Sequence, residues 1–359
     1  MAVEISQRPI WSIMIPTYER SIYLSEAIES VLSQISEREL NKFQIEVVDN
    51  CSTNKDIKSI VSKYKGQVGF YCQPETVDIH SNWNTCIERA RGKYVHILHD
   101  DDLVGAGFYH SMEVGFNTSP EIGAACCRHQ HIDETGCRLK YISQLHRKKA
   151  GIIPKFIEKI AVNSLFDPPA IAVKKEVYEK LGKFNSQMET SADHEMWIRI
   201  AVNYKVWFEP QVLAFYRVHN NNITSSILSS GYNLVCARRV IQTFDRLLPP
   251  HLSCKLTKKA LEECGKYGIK LAFRALSKGD LRTTCNQIRE VFKSTHSLKV
   301  LSIILLIPWL AILAFSWRAF RRIFVAIAQV LNPNVNRPAS VAGVNALGVL
   351  VMVKRCLRV

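Results

Sequence analysis

The sequence predicts an α/β protein built on a parallel sheet with helices on both faces, and three observations carry that prediction. Short apolar runs rich in β-formers alternate with stretches of helical period over the first hundred residues, giving β-α-β-α-β-α-β. Polar residues gather after the first, second and fourth of these strands, the ends at which open α/β sheets bind ligands. The fourth run, Tyr94 to Leu98, delivers His99, Asp100, Asp101 and Asp102 to its C-terminal end. Three adjacent acids repel one another, so positive charge is expected among them.

Ile10 to Ile15 forms the first strand, which Pro16 is expected to stop. Thr17-Tyr18-Glu19-Arg20 makes the turn, and Ser21 is placed to cap the next helix. Within that helix Leu24, Ala27, Ile28, Val31, Leu32 and Ile35 recur at helical spacing and form one buried face. Gln44 to Val48 is the second strand. It runs into Asp49-Asn50-Cys51-Ser52-Thr53-Asn54, a segment of turn and cap formers, so a helix is expected from near Lys55. Val68 to Cys72 is the third strand, and Ser81 to Arg91 the third helix, with Gly92 as its C-cap. For the acidic cluster that follows the fourth strand, a hard divalent cation holding a diphosphate is the economical reading, and a solvated acidic turn the plain alternative.

Past Asp102, Gly105-Ala106-Gly107 breaks the chain before a helix to about Phe116. Ile122 to Ile132 reads as a strand, closed by a turn at Asp133-Glu134-Thr135-Gly136. Cys126-Cys127-Arg128-His129-Gln130-His131, with Cys137 beyond, is worth testing for zinc; it lacks the paired Cys-x-x-Cys spacing of structural zinc sites and alternates like a strand. Tyr141 to Ala150 is polar and basic, a loop that either faces an acceptor or is simply solvated. Phe166 to Val173 returns to the sheet, Lys175 to Gly182 is a short helix, and Thr190 to Ile200 opens another. Asp193 and Glu195 lie in its first turn, where the helix dipole alone favours a carboxylate.

Four blocks carry a family resemblance: Pro16-Thr17-Tyr18, Val47 to Thr53, Ala90-Arg91-Gly92-Lys93-Tyr94, and Leu98-His99-Asp100-Asp101-Asp102. In order and spacing they resemble the family 2 glycosyltransferases, over roughly residues 8 to 225. The resemblance implies a GT-A nucleotide-diphospho-sugar transferase fold, an α/β fold with a mixed, mostly parallel sheet between helices, and an inverting, hexosyltransferase-like enzyme. It places Pro16, Tyr18 and Glu19 on the nucleotide side, Asp49 on the base (usually uracil), and Asn82 and Asn84 along the diphosphate and sugar. Asp100 and Asp101 fall in the metal-binding DxD region, with His99 where the common Asp-x-Asp-Asp form has its first Asp. His99 and Asp101 are the expected metal ligands, with Asp100 on the donor, and a nitrogen ligand tilts preference from Mg2+ toward Mn2+. Some members similar to this chain carry His there; His99 then either binds the metal or contacts phosphate. Asn54 replaces a frequent Asp, as a helix-cap variation. Asp193 is the expected catalytic base, with Glu195 as its substitute, and Phe215-Tyr216-Arg217-Val218-His219 resembles the terminal block whose Arg217 and His219 approach the diphosphate.

From Tyr232 to about Phe292 the pattern turns helical, with Lys278-Gly279-Asp280 as a helix-helix turn. Two apolar runs follow, Leu301 to Trp317 and Ala339 to Val353, both short for a membrane span. Basic residues flank each run on both sides, so no inside-outside asymmetry exists; helices lying in an anionic membrane interface, or a re-entrant hairpin, fit better, with a buried helical subdomain or an oligomer contact as the alternative. The expected division is a catalytic domain at 1–225, a helical subdomain at 226–297, and membrane-associating helices at 298–359.

The 359 residues carry a formal charge of +15, thickest in the C-terminal half, which suits an anionic membrane or a polyphosphate substrate. The aromatic-interleaved basic pattern of nucleic-acid binders is missing, so no nucleic acid is expected. Met1 to Pro9 has no apolar signal core and the eleven cysteines are scattered, so the cytoplasmic side of the membrane is the expected location. The partners expected are a nucleoside diphosphate sugar, foremost a UDP-sugar, and a glycan or lipid-linked acceptor of cell-surface polysaccharide synthesis. The rival reading is a catalytically inactive sugar-nucleotide-binding or membrane-scaffold protein on the same fold.

Overall fold

Trp11, Ile13, Met14 and Ile15 are wholly buried because their strand lies inside the sheet with covered faces. The computed structural model describes residues 8–219, 223–295, 297, 300 and 302. Residues 1–300 cluster as one unit and 301–359 as a second. The two C-terminal apolar runs fall, Ser302 apart, outside the described residues. Among the described residues no helix is long and apolar enough to cross a membrane.

The first half follows the expected alternation: β1 (Trp11–Thr17), α1 (Leu24–Leu32), β2 (Phe43–Asp49), α2 (Asp56–Ser62), β3 (Gly69–Cys72), α3 (Ile79–Arg89) and β4 (Tyr94–Ile97). A short β5 (Leu103–Val104) leads to α4 (Phe108–Thr118), β6 (Ile122–Ile132), β7 (Arg138–Ile142) and β8 (Gly151–Ile152). Then come α5 (Phe156–Ile160), β9 (Ile171–Lys174), α6 (Lys175–Leu181), α7 (Ala192–Asn203) and β10 (Lys205–Arg217). The helical part is α8 (Ile223–Ser230), α9 (Tyr232–Gln242), α10 (Phe244–Leu247), α11 (Pro250–Leu276) and α12 (Leu281–Ser294).

The sheet runs β3-β2-β1-β4-β9-β6-β10-β5, with β7 beside β6 and β8 beside β10. β3, β2, β1 and β4 are mutually parallel, β9 is antiparallel to both β4 and β6, and β6 and β10 are parallel. Two reversals cancel, so β1, β2, β4, β6 and β10 all point their C-terminal ends at one rim. The register aligns Thr17 with Asp49. On one side the core is sealed by Trp11, packed against Tyr94, Tyr109 and Phe116.

Three local expectations change. Pro16 does not stop β1; the strand continues through it to Thr17. The ladder to β4 ends at Met14, so the missing proline N–H deprives no partner. Ser21 does not cap α1, which starts at Leu24 with no side-chain cap. Its hydroxyl instead accepts Asn54 Nδ2 at 3.2 Å and ties the first loop to the second. Gly92 is not a helix cap: α3 ends at Arg89 with Ala90 as its C-cap. A Cβ at Gly92 would stand 2.5 Å from the Trp11 carbonyl carbon and 2.6 Å from Ser12 N, so glycine permits the backbone contact that seats β4 beside β1. Gly279, in contrast, sits in the expected helix-helix turn with φ of +81°.

Candidate active site

The rim gathers what the sequence scattered. Thr17 ends β1, Asp49 ends β2, the loop after β4 carries His99 to Asp102, and Arg217 ends β10. Asp100, Asp101 and Asp102 are 1%, 8% and 0% exposed. Ionised together in that burial they would be strongly unfavourable without neighbouring positive charge.

Arg20 supplies it. Its Nε donates to Asp100 Oδ1 at 3.0 Å, a second nitrogen pairs with the same carboxylate, and the third lies 2.9 Å from Asp101 Oδ2. His219 Nε2 stands 3.0 Å from Asp101 Oδ2 and 3.3 Å from the Arg20 guanidinium. Thr17 Oγ1 donates to Asp100 Oδ2. The three acids consequently titrate apart. Burial pushes Asp102 up to about 6, with the charge of Asp101 adding and His99 opposing. Burial also raises Asp100 in spite of Arg20. For Asp101 burial acts upward as well, but contact with His219 and the charge of Arg20 hold it below the ordinary range. Burial disfavours charge on His99, and its contact with Asp102 outweighs that, raising the imidazole.

Arg217 is fully buried, and its guanidinium points inward. Nε donates to the Asp101 carbonyl at 2.8 Å, NH1 to the carbonyls of Asp133 and Glu134, and NH2 to Glu26 Oε2 at 2.7 Å. Its backbone N–H donates to Asp102 Oδ1 at 2.9 Å. Arg217 thus fixes the acidic loop from behind, while His219 faces the cluster.

The residues expected on the nucleotide side fall into two groups. Asp49 is buried and accepts Ser52 N at 3.2 Å within its own turn. Tyr18 is 51% exposed, and Pro16 lies buried in β1. Glu19, at φ +54°, accepts Thr53 N at 2.7 Å and clasps the two loops together. Asn82 is buried, donating to the Val48 carbonyl and accepting from Gln73. Asn84 exchanges two hydrogen bonds with the Phe184 backbone, both at 2.9 Å. In this arrangement both amides brace α3 against its neighbours.

Asp193 opens α7. Burial pushes its carboxyl up to about 6, with the charge of Asp167 adding and that of His99 opposing. Its Oδ1 accepts His194 N at 2.7 Å. Glu195 is buried in a two-point contact with Arg199, at 2.8 and 2.9 Å. The segment before Asp193 is held by Glu189, at φ +48°, which accepts Tyr232 Oη at 2.9 Å and pairs with Arg239, both on α9.

Sequence reasoning left Arg20, Thr17 and Glu26 without roles and gave Asp102 no ligand part. Arg20 had a signal, since it closes the first loop next to Thr17 and Tyr18. The others required knowledge of which strand ends are neighbours.

A divalent cation fits the cluster. His99, Asp101 and Asp102 bring ligand-capable atoms within 4.8 Å of one another. His99 Nε2 and Asp102 Oδ2 are buried without a hydrogen-bond partner among the described residues. One imidazole and two carboxylates are a donor set for such an ion.

Residues 12–182 match the family model for Glycosyl transferase family 2. The chain carries a family 2 glycosyltransferase domain. An uncharacterized glycosyltransferase of Rickettsia felis is 25% identical over 236 residues, which are 64% of this chain and 37% of that protein. The chain therefore spans well under half the length of that relative. A minor teichoic acid biosynthesis protein, GgaB of Bacillus subtilis, is 30% identical over 105 residues, 28% of this chain and 11% of that one. In fold, the chain is similar to S. aureus TarS 1–349 in complex with UDP-GlcNAc, with a TM-score of 0.58 at 13% identity, covering 79% of this chain and 90% of that one. It is also similar to the mannosyltransferase PcManGT of Pyrobaculum calidifontis in complex with GDP-Man and Mn2+, with a TM-score of 0.52 at 18% identity over 91% and 88% of the two chains. The family 2 domain thus has the GT-A-like α/β architecture with a mixed sheet.

Proposed function

We propose that this protein moves a hexose from a nucleoside diphosphate sugar, foremost a UDP-sugar, to a hydroxyl of a glycan or lipid-linked acceptor, with inversion. The observation that carries the proposal is Asp193, a single carboxyl held near pKa 6 within electrostatic reach of His99 in the acidic cluster. Support comes from the ligands of the two structural neighbours, UDP-GlcNAc and GDP-Man with Mn2+. The resemblance to GgaB supports a cell-surface polysaccharide as product.

Asp193 acts as general base: it takes the acceptor hydroxyl proton as that oxygen attacks the anomeric carbon. The bond from that carbon to the diphosphate breaks on the opposite face, and the nucleoside diphosphate leaves with the electron pair. Arg20 and His219 border the leaving-group side and offer hydrogen-bond donors to phosphate oxygens. Asp49 accepts a ring N–H of the base. His99, Asp101 and Asp102 would hold a divalent ion, Mn2+ or Mg2+, which when bound stabilises charge on the departing diphosphate. Double displacement needs a second carboxylate as nucleophile, and Glu195 is committed to Arg199. We assign residues 1–225 to catalysis, 226–297 to a helical support, and 298–359 to an anionic membrane surface on the cytoplasmic side.

The test is thermal stability of purified protein with UDP, GDP, dTDP and CMP, each with and without Mn2+. One diphosphate stabilising strongly, and only with metal, supports the proposal and fixes the donor class. No stabilisation by any of them in a folded sample favours the inactive scaffold instead.

A further inference from the structure

The sequence places Cys126, Cys127, His129, His131 and Cys137 close together along the chain, and the structure sorts them. Cys126 and Cys127 are buried in the body of β6, where burial raises both thiols and disfavours the thiolates a metal needs. Cys137 is exposed in the turn after β6. His129 and His131, two residues apart on one strand, point to the same face. Asp167, which leads into β9 beside them, meets both: its Oδ2 lies 2.9 Å from His129 Nε2 and 3.6 Å from His131 Nε2.

We propose that His129, His131 and Asp167 form a second metal site, separate from the acidic cluster, that takes Zn2+ or a similar borderline divalent ion. Three observations support it. All three residues bring a ligand-capable atom within 4.8 Å of the others. Ligands about 2.0–2.1 Å from a tetrahedral ion stand about 3.3 Å apart, and the two separations to Asp167 bracket that value. His129 is 2% exposed, yet neither of its ring nitrogens has an aligned hydrogen-bond partner among the described residues.

The surroundings suit an ion. Ser143 Oγ accepts the His129 backbone N–H at 2.8 Å and fixes that part of the strand. The Asp167 side chain is 35% exposed and that of His131 25%, so the cluster is open to solvent on one side. Two imidazoles and one carboxylate leave a fourth position vacant around a tetrahedral ion, as in catalytic zinc sites. Imidazole-rich donors favour Zn2+ over Mg2+. The site lies at the C-terminal end of β6, on the same rim as the acidic cluster, and the charge of Asp167 is felt at Asp193. The site stands on its own donors and does not depend on the transferase reading.

Full-length protein is stripped with chelator, loaded with Zn2+, desalted, and its retained metal and melting temperature are measured. Co2+ is then used as a visible-absorbing probe of nitrogen-ligated four-coordination. We expect one retained zinc and a raised melting temperature in the wild type, both kept in His99→Ala. His131→Ala and Asp167→Asn should each lower zinc affinity at least tenfold and lose the Co2+ band. The proposal is overturned if folded wild type retains no zinc and shows no thermal shift, or if zinc survives in His131→Ala and Asp167→Asn. It is equally overturned if His99→Ala is the variant that loses it. Should His131→Ala fail to fold, the more conservative Asp167→Asn decides alone.

Discussion

Arg20 occupies the middle of the acidic cluster, with its Nε 3.0 Å from Asp100 Oδ1 and another guanidinium nitrogen 2.9 Å from Asp101. Without other cations it is the main counter-charge to two buried carboxylates. Arg20→Met should therefore lower stability near pH 7 by about 1 kcal/mol, a modest figure because Arg20 is partly exposed. Arg20 attracts only ionised carboxylates, so the part of the deficit due to Asp100, whose carboxyl burial raises, shrinks as pH falls toward 4, while the part due to Asp101, held below the ordinary range, persists. Mn2+ should stabilise the variant more than the wild type. Melting temperatures from pH 4 to 8, with and without Mn2+, check both statements.

Asp193 gives a pH signature. As a base it must be ionised, and its carboxyl sits at about 6, so kcat/KM should fall as pH drops below 6. The stability contribution has the opposite direction. A carboxyl raised on folding adds stability below its unfolded value of about 3.9, and that contribution is lost as pH rises through 6. Asp193→Asn should cut kcat by a factor of about 100 to 10,000 with little change in nucleotide affinity. A pH–rate profile and nucleotide titration of both proteins test it; an unchanged kcat would remove Asp193 from the chemistry.

Arg217 should prove structural in its effect. It is fully buried and donates to three backbone carbonyls and Glu26. Arg217→Met takes the guanidinium donor from the Asp101 and Glu134 carbonyls, whereas the Asp133 carbonyl keeps the Gly136 N–H and Glu26 is half exposed, and it should cost about 2 kcal/mol by chemical denaturation. Where the variant folds, weakened nucleotide binding should accompany the loss, because the Asp101 carbonyl loses its guanidinium donor while the backbone N–H of residue 217 still holds Asp102.

The α9 clamp on Glu189 offers a subtler test. Arg239→Met frees one side of a residue that sits at φ +48°, four positions before Asp193. Unclamped, that backbone can relax toward ordinary conformations and shift the base. The expected result is a kcat lowered about fivefold with KM nearly unchanged. A matching loss in both parameters would argue against positioning through Glu189.

Much of this was legible in the residues. Helical spacing from Leu24 onward and the alternating strands give the parallel half of the sheet, because each element buries an apolar face set by its own period. The placement of His99 to Asp102 at a strand end follows from the same alternation; the burial of the three acids does not. The rest needed three dimensions. Pro16 in β1 depends on where the neighbouring strand stops, and the role of Gly92 on how closely β4 approaches Trp11.

The sequence by itself determined the α/β class, the order of the strands in the chain, and the side-chain types available at their ends. Those follow from local periodicity and turn chemistry, which act over a few residues. Tertiary structure decided which ends are neighbours: Arg20 against Asp100, Arg217 behind Asp101, and Asp167 against His129 and His131. Such pairs lie from a few tens to more than a hundred residues apart, and no local propensity specifies them. They are fixed by strand pairing and by the need of each buried charge for a partner.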